Sequence, residues 1–167
     1  HGHMEAVGYD TYMKLLREVI AERTGETVKE RKEVNVRTEY NAFIPENYVT
    51  DEAWRIRQYG NISRIDSLSD LRRMQNTMRD VYGAPPEEVV NLLTVALVKN
   101  LCADAGAEEV TLMKGKSRIT FGKMKDVPPR FAADAQKAGA SIDMGEKVSF
   151  AFPTGRILVK FLCDYNK

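Results

Sequence analysis

Apolar residues recur every three or four positions near the start of the chain, the spacing of a helix with one apolar face. This stretch covers residues 5–24, and its apolar stripe consists of Tyr9, Tyr12, Met13, Leu16, Val19 and Ile20. The following stretch, 24–32, is charged and contains Gly25, which favours a linker. We therefore predict a helical arm and linker over residues 1–31 and a folded domain over 32–167.

Three further helices are predicted in the middle of the chain. The first, 51–62, has Asp51 and Glu52 in its opening turn, where acids complement the helix dipole. The second, 67–82, starts with a capping-box pattern at Ser67 and stops at Gly83. Its predicted apolar side is formed by Leu68, Leu71, Met78, Val81 and Tyr82. The third runs from Pro85-Pro86 to about residue 105 and is apolar nearly all round, which predicts a buried helix.

Strand patterns flank these helices. Residues 33–39 alternate polar and apolar, whereas 40–50 contain Ile44-Pro45 and are irregular. Residues 109–114 and 117–121 alternate around Gly115-Lys116, which predicts a hairpin. A short helix over 127–138 follows, and then a second hairpin is predicted from 148–152 and 156–165 around Pro153-Thr154-Gly155. The predicted fold class is α+β, a helical cluster packed on a small, mainly antiparallel sheet built from hairpins.

Charge and composition narrow the range of partners. Lys and Arg together number 25 and Asp and Glu 24, so the net charge of +1 gives no bulk electrostatic reason to bind nucleic acid or anionic lipid. No apolar run reaches the roughly 18–20 residues of a membrane span. Both cysteines, Cys102 and Cys163, lie in apolar segments and are interpreted as buried free thiols. We expect a cytoplasmic protein.

Catalytic and metal-binding patterns are not supported. The two histidines are His1 and His3, so a Ser-His, Cys-His or histidine-rich metal site cannot form in the predicted folded region. Gly115-Lys116-Ser117 imitates the end of a phosphate-binding loop, but Val110 stands where that loop needs a further glycine. Paired carboxylates at 51–52, 87–88 and 108–109 are explained by helix dipoles or solvation. We predict no enzyme activity for this chain and no cofactor.

Two surfaces remain as candidates for function. The polar side of helix 67–82 carries a mixed-charge set that suits either a solvated face or a regulatory protein–protein surface: Arg72, Arg73, Gln75, Asn76, Arg79 and Asp80. A weaker patch combines Arg55, Arg57 and Arg64 with Trp54 and Tyr59, although we expect Trp54 to pack against the core. An interaction domain is favoured, and the alternative is a nucleic-acid-binding module that uses the arginines at 55, 57, 64, 72 and 73.

Several runs resemble one family, in matching order along nearly the whole chain. Residues 2–12 with Leu15-Leu16 resemble the stretch that ends the motor region of bacterial transcription-repair coupling factors, which implies that Gly2-His3-Met4 is native sequence. Residues 42–48, Ala-Phe-Ile-Pro-Glu-Asn-Tyr, resemble a short segment of the C-terminal TRCF domain of these proteins. Residues 78–89, continued by Asn91-Leu92-Leu93, resemble the more specific family run Asp-Arg-Phe-Gly followed by Pro-x-Pro-Glu-Glu-Val.

The resemblance implies a role in transcription-coupled repair. The parent protein of this family is a cytoplasmic, ATP-driven DNA translocase that pushes stalled RNA polymerase off damaged DNA and recruits the excision-repair protein UvrA. Its C-terminal domain lies outside the motor, so DNA is expected to be contacted through the parent motor. This domain packs against an N-terminal UvrB-like module, masks the UvrA-binding surface and restrains idle translocation.

The resemblance also implies an interdomain interface on helix 67–82. Family members hold the packed state partly with acids that precede the Asp-Arg-Phe-Gly run and face arginines on the partner module. Asp80 matches one of these acids, whereas Thr77 stands where glutamate is common. The family's arginine and phenylalanine after the aspartate are Val81 and Tyr82 in this chain. The expected interface residues are Asp80, Thr77, Asn76, Arg73 and Arg79.

Overall fold

The computed structural model describes residues 32–167 and, before them, only positions 18, 19 and 22. The arm and linker predicted over 1–31 otherwise lie outside the described residues. The described helices are α1 (Glu52–Ile62), α2 (Leu68–Tyr82), α3 (Glu87–Ala105), α4 (Phe131–Lys137) and α5 (Gly155–Tyr165). The described strands are β1 (Asn35–Thr38), β2 (Glu109–Leu112), β3 (Ser117–Phe121), β4 (Ser141–Met144) and β5 (Val148–Phe152).

These elements form two compact units. The first contains residues 41–97, with α1, α2 and the N-terminal part of α3. The described part of the second contains 32–40 and 98–167, with the last turns of α3, all five strands, α4 and α5. The predicted α+β class is confirmed, with five helices and a five-stranded, mostly antiparallel sheet in the described part of the chain.

The sheet has the strand order β1-β2-β3-β5-β4. The hairpin predicted around Gly115-Lys116 is confirmed, because β2 and β3 pair antiparallel with Glu109 opposite Thr120. Strand β1 pairs with β2 in parallel, so this edge of the sheet joins two strands that are far apart in sequence and is not a hairpin. The remaining pairs, β3 with β5 and β4 with β5, are antiparallel.

The second predicted hairpin is wrong, because residues 155–165 form helix α5. The side chain of Thr154 accepts a hydrogen bond from the backbone N–H of Ile157, which is a helix N-cap. Leu158, Phe161 and Leu162 are buried at helical spacing, so the apolar period here is that of a helix. Strand β5 instead pairs with β4, an edge strand whose residues are mostly exposed and therefore lack a clear apolar alternation.

Helix α3 is buried along most of its length, as its apolar sequence predicts. Val89, Leu92 and Leu93 are fully buried in the first unit, and Val98 and Cys102 in the second. Both cysteines are free, but Cys163 is only half-buried, so its predicted burial is wrong in degree. Burial raises the pKa of the Cys102 thiol far above its usual range, so this thiol stays protonated and unreactive.

The core of the second unit is an aromatic cluster centred on Phe131. Its ring meets those of Phe121 and Phe161 edge-on, with centroids 5.0 Å away in both cases, and that of Phe150 at 5.1 Å. Edge-to-face geometry is favoured because the positive edge of one ring faces the negative face of the next. The cluster therefore fixes short helix α4 against the sheet and α5.

The start of α5 requires a residue without a side chain. A Cβ added at Gly155 would collide with the carbonyl oxygen of Met113 and meet Cδ1 of Leu112 at 3.2 Å. The carbonyl belongs to the backbone after β2, which cannot rotate away as a flexible side chain would. Helix α5 therefore begins in close contact with the end of a strand, and glycine is what permits that approach.

We expect Gly155→Ala to lower the free energy of unfolding by about 1–3 kcal/mol, because an extra methyl group in a closed site forces the backbone to shift. Urea denaturation followed by circular dichroism would measure this loss. Gly145→Ala is the matched control, since nothing lies within 4 Å of a Cβ added there. Equal stability of the two variants would contradict the close contact at Gly155.

Candidate functional site

Helix α2 carries the predicted interface, and local sequence signals define both its ends. The hydroxyl of Ser67 accepts a hydrogen bond from the backbone N–H of Asp70 at 3.0 Å, which caps the N-terminus as predicted. Gly83 follows the last helical residue with φ of 91°, in the left-handed region that glycine tolerates. The predicted bounds of this helix are confirmed to within one residue.

The buried stripe of α2 contains fewer apolar residues than the apolar side that its sequence predicts. Leu71 and Met78 are buried, but Leu68 and Val81 are 38% and 65% exposed. At 100° per residue, Leu68 and Val81 lie at opposite edges of the stripe defined by Leu71 and Met78. Their predicted place on the buried side is therefore wrong, and Val81 adds an apolar group to the exposed face.

Tyr48 fixes the C-terminal end of α2. Its hydroxyl donates to the carbonyl oxygens of Gly83 at 2.8 Å and Met78 at 3.3 Å, two acceptors at the end of the helix. Its ring lies 5.7 Å from that of Tyr82, whose hydroxyl accepts a hydrogen bond from Nε2 of Gln58 at 3.2 Å. Partial burial, together with the neighbouring Tyr82, raises the pKa of Tyr48, so this hydroxyl remains a donor at neutral pH.

The irregular segment that contains Tyr48 also holds the other two helices of this unit. The backbone N–H of Ile44 donates to the hydroxyl of Tyr59 in α1 at 2.9 Å, in a buried position. The backbone N–H of Phe43 donates to the carbonyl oxygen of Glu88 at the start of α3, at 3.2 Å. One irregular run of residues thus bonds all three helices of this unit.

The expected interface residues lie together on that exposed face. Arg73, Asn76, Thr77, Arg79 and Asp80 are all exposed, and Arg72 lies beside them. Several of these side chains form ion pairs or hydrogen bonds with other residues of the same helix. The Arg73 guanidinium contacts the Asp70 carboxylate at 2.9 Å, Arg79 donates to Asn76 at 3.2 Å, and the Thr77 hydroxyl donates to the carbonyl oxygen of Arg73 at 2.9 Å.

Asp80 differs from its neighbours on this face. Its side chain makes no hydrogen bond or ion pair with another residue in the described part of the chain. The same holds for Arg72. The Asp70 carboxylate, by contrast, is held by Asp66, Arg73 and Ser67, hydrogen bonds that lower its pKa. The Asp80 carboxylate is therefore exposed and makes no bond to another described residue.

The weaker patch around α1 is rearranged relative to the prediction. Trp54 is 51% exposed, so its predicted packing against the core is wrong, and the Arg57 guanidinium lies 5.0 Å from its ring centroid. The side chain of Arg55 turns inward and donates to the carbonyl oxygen of Val49 at 2.9 Å. Tyr59 is buried. Only part of this patch is available to a partner.

A cleft that the sequence does not reveal lies between the end of α1 and α2. Its volume is about 280 Å³, and it is lined by Asn61, Arg64, Ile65, Asp70, Arg73, Met74 and Thr77. The residues of this cleft come from the end of α1, from α2 and from the turn between them, so no contiguous motif marks them. The only sequence signal is the spacing of Trp54, Arg57 and Asn61, which places exposed residues along one side of α1, with Arg64 two residues beyond its end.

Metal-binding and membrane-spanning features are absent from the described part of the chain. Residues 32–167 contain no group of three or more His, Cys, Asp or Glu side chains placed to hold a metal ion. No helix within this range is long and apolar enough to cross a membrane. The Gly115-Lys116-Ser117 run forms the predicted hairpin turn, in which the Ser117 hydroxyl donates to the carbonyl oxygen of Met113 at 3.0 Å.

The fold and its surface define an α+β domain whose distinctive feature is an exposed, mixed-charge helix face. The family model of the TRCF domain matches residues 38–131, which is more than half of the chain. The chain therefore belongs to the TRCF domain family, and the resemblance in its sequence is confirmed.

Curated relatives extend this assignment. The transcription-repair-coupling factor of Borreliella burgdorferi is 30% identical over 131 residues, which cover 77% of this chain and 11% of that protein. The corresponding protein of Bacillus subtilis is 33% identical over 124 residues, or 74% of this chain and 10% of that protein. The chain thus spans about a tenth of the length of these relatives.

A solved structure shares the fold. The crystal structure of the C-terminal domain of a transcription-repair coupling factor matches with a TM-score of 0.62 and 24% sequence identity. The match covers 80% of this chain and 90% of that one. The similarity supports the α+β architecture described above.

We expect Tyr48→Phe to lower the free energy of unfolding by about 1 kcal/mol, because the carbonyl groups at the end of α2 lose their hydroxyl donor. The melting temperature should fall by about 2–4 °C, as measured by differential scanning calorimetry. Tyr40→Phe is the matched control, because the Tyr40 hydroxyl bonds no residue in the described part of the chain. Equal melting of both variants would contradict the anchoring role of Tyr48.

Proposed function

We propose that this chain is the non-catalytic regulatory domain of a cytoplasmic transcription-repair coupling factor. It packs against the N-terminal UvrB-like module of the same parent chain and masks the surface that UvrA binds. In this state it restrains both UvrA recruitment and idle movement of the parent translocase, which acts on DNA and on stalled RNA polymerase. Membership of the TRCF domain family supports the parent's identity, and the exposed face of α2 supports the mode of action.

The observation that carries this proposal is the state of Asp80. It is exposed and has no partner among the described residues, while its neighbours Arg73 and Arg79 are engaged within α2. A cationic group on a partner module would therefore gain an ion pair at Asp80 without breaking one inside this domain. The helix is held at both ends, so little ordering is needed when the partner binds.

The strength of such an interface suits a releasable inhibitor. Exposed ion pairs contribute about 0.2–1 kcal/mol each, so several together hold a surface that a competing partner can displace. Tethering on one chain gives an effective concentration on the order of 1 mM. An intrinsic Kd on the order of 10–100 µM would then keep roughly 90–99% of the parent closed. A polar face with one apolar residue, Val81, is consistent with this modest affinity.

The alternative, an accessory nucleic-acid-binding module that assists the motor's grip on DNA, has weaker support. Of the five arginines that would form its groove, Arg55 turns inward to Val49. A net charge of +1 supplies no overall field for phosphate. Affinity for DNA of micromolar or better strength that falls steeply with salt would favour this alternative over the autoinhibitory role.

Charge reversal at Asp80 tests the proposed interface. We expect Asp80→Arg to weaken binding of this chain to the UvrB-like module of its parent by more than about tenfold, because two cations would then face each other. Truncation in Asp80→Ala should weaken binding only about 1.4- to 5-fold. Isothermal titration calorimetry at low salt measures both effects.

The matched control for this experiment is Asp126→Arg. Asp126 is also an exposed aspartate, but it belongs to the second unit and not to α2. The control variant should bind as the unchanged chain does. A similar loss of affinity in both charge-reversal variants, or none in either, would contradict a specific role for Asp80.

Restoration of the family's second acid is expected to strengthen the interface. Thr77 lies one turn before Asp80 on the same exposed face, and its hydroxyl donates a hydrogen bond to the carbonyl oxygen of Arg73. Thr77→Glu adds a carboxylate there, so we expect affinity for the UvrB-like module to rise about 1.4- to 5-fold in the same titration. Thr77→Gln is the control, because it adds a side chain of the same length without the charge. Equal effects of the two substitutions would show that charge at this position does not matter.

A further inference from the structure

The cleft between the end of α1 and α2 combines an apolar floor with a cationic rim. Ile65 is buried and Met74 half-buried, and they provide the floor. Arg64 and Arg73 are exposed and stand at the rim, while Asn61 and Thr77 add neutral polar groups. Asp70 is the one acid of the lining, and it pairs with Arg73 at 2.9 Å. The lining therefore keeps a net positive charge beside a small apolar recess.

An exposed strip on α1 leads into this cleft. Trp54, Arg57 and Asn61 are exposed at spacings of three and four residues, which places them along one side of the helix, and the exposed Arg64 follows two residues beyond its end. The Arg57 guanidinium lies 5.0 Å from the centroid of the Trp54 ring, which is 51% exposed. Trp54 and Asn61 are seven residues apart, or about 10 Å along the helix axis. The surface thus offers two apolar points, the Trp54 ring and the cleft, with cations between and beside them.

We propose that this strip and cleft form a docking surface for an acidic amphipathic helix of a partner protein. Apolar side chains two turns apart on that helix, at i and i+7, match the distance from Trp54 to the cleft. Acidic side chains flanking them meet Arg57, Arg64 and Arg73. The surface shares Arg73 and Thr77 with the face that carries Asp80, but it would bind acidic groups and it does not depend on the autoinhibitory role.

A polypeptide fits this surface better than a nucleic acid does. Phosphates favour an uninterrupted row of cations, whereas the Asp70 carboxylate lies inside the cleft and Glu52 is exposed on α1, two residues from Trp54. Arg55, which would extend the row, is turned inward to Val49. The apolar floor of the cleft also suits an aliphatic side chain and offers nothing to a base or a sugar.

The only tryptophan of the chain is Trp54, so its fluorescence reports on this surface alone. The probe is a synthetic peptide of about 16 residues, rich in Ala and Glu, with leucines at i and i+7. It is titrated into the full chain. We expect saturable binding with a shift of the emission to shorter wavelength, since the ring leaves water. Peptides with Gln for Glu, or Ser for Leu, should bind at least about fivefold more weakly.

Variants of the chain localise the binding. We expect Arg64→Gln combined with Arg73→Gln to weaken the acidic peptide roughly 5- to 30-fold, because two ion pairs are lost. The control combines Lys125→Gln with Arg156→Gln, which removes two exposed cations of the second unit and should leave affinity unchanged. Both double variants should keep the circular dichroism spectrum of the unchanged chain.

Three results would overturn the proposal. The first is no change in Trp54 emission up to about 1 mM peptide. The second is an equal response to the Glu and Gln peptides or in the two double variants. The third is saturable quenching by a single-stranded DNA oligonucleotide at lower concentration than the acidic peptide, which would assign the strip to nucleic acid. Loss of binding to the UvrB-like module on Asp80→Arg bears on the other proposal and leaves this one unaffected.

Discussion

The hydroxyl of Tyr48, bonded to the carbonyl oxygens of Met78 and Gly83, is the interaction on which the functional surface depends. The last carbonyl groups of any helix lack partners within the helix. In this unit the Tyr48 hydroxyl, from the preceding irregular segment, donates to one such group, the carbonyl oxygen of Gly83, and the same segment bonds α1 through Ile44 and Tyr59. Because each of these bonds involves a backbone group, they fix where the helices lie and not only how their side chains pack. The C-terminal end of α2, which carries Asp80, is held in place in this way.

The second unit is stabilised by a different kind of interaction. Its core is a set of edge-to-face rings around Phe131, and α5 closes it by starting at Gly155 in contact with the backbone of Met113. Such packing tolerates no added volume, whereas the surface of α2 tolerates many polar residues. Stability of the second unit therefore depends on apolar and aromatic contacts, whereas the recognition that we propose depends on exposed charges, which contribute little to stability.

Exposed groups of opposite charge, close together in this unit, underlie the two modes of recognition that we propose. Asp80 presents an acceptor to cations, while Arg64 and Arg73 border a cleft suited to acids. An interface built from exposed charges associates quickly and dissociates readily, which a regulatory domain needs if competing partners are to replace one another. Val81, exposed on the first of these surfaces, adds an apolar centre around which such charges can form a rim.

The sequence by itself determined the elements whose signals are local: the capped ends of α2, the buried α3 and the hairpin of β2 and β3. It also placed Asp80 and its four neighbours on one exposed face, because helical spacing alone sets which residues share a side. Tertiary structure decided the rest. The parallel pairing of β1 with β2, the inward turn of Arg55, the exposure of Trp54 and the cleft beside Arg64 all depend on residues distant in sequence. Residues 155–165 form a helix and not a strand because the Thr154 cap and burial at helical spacing outweigh their strand-like composition.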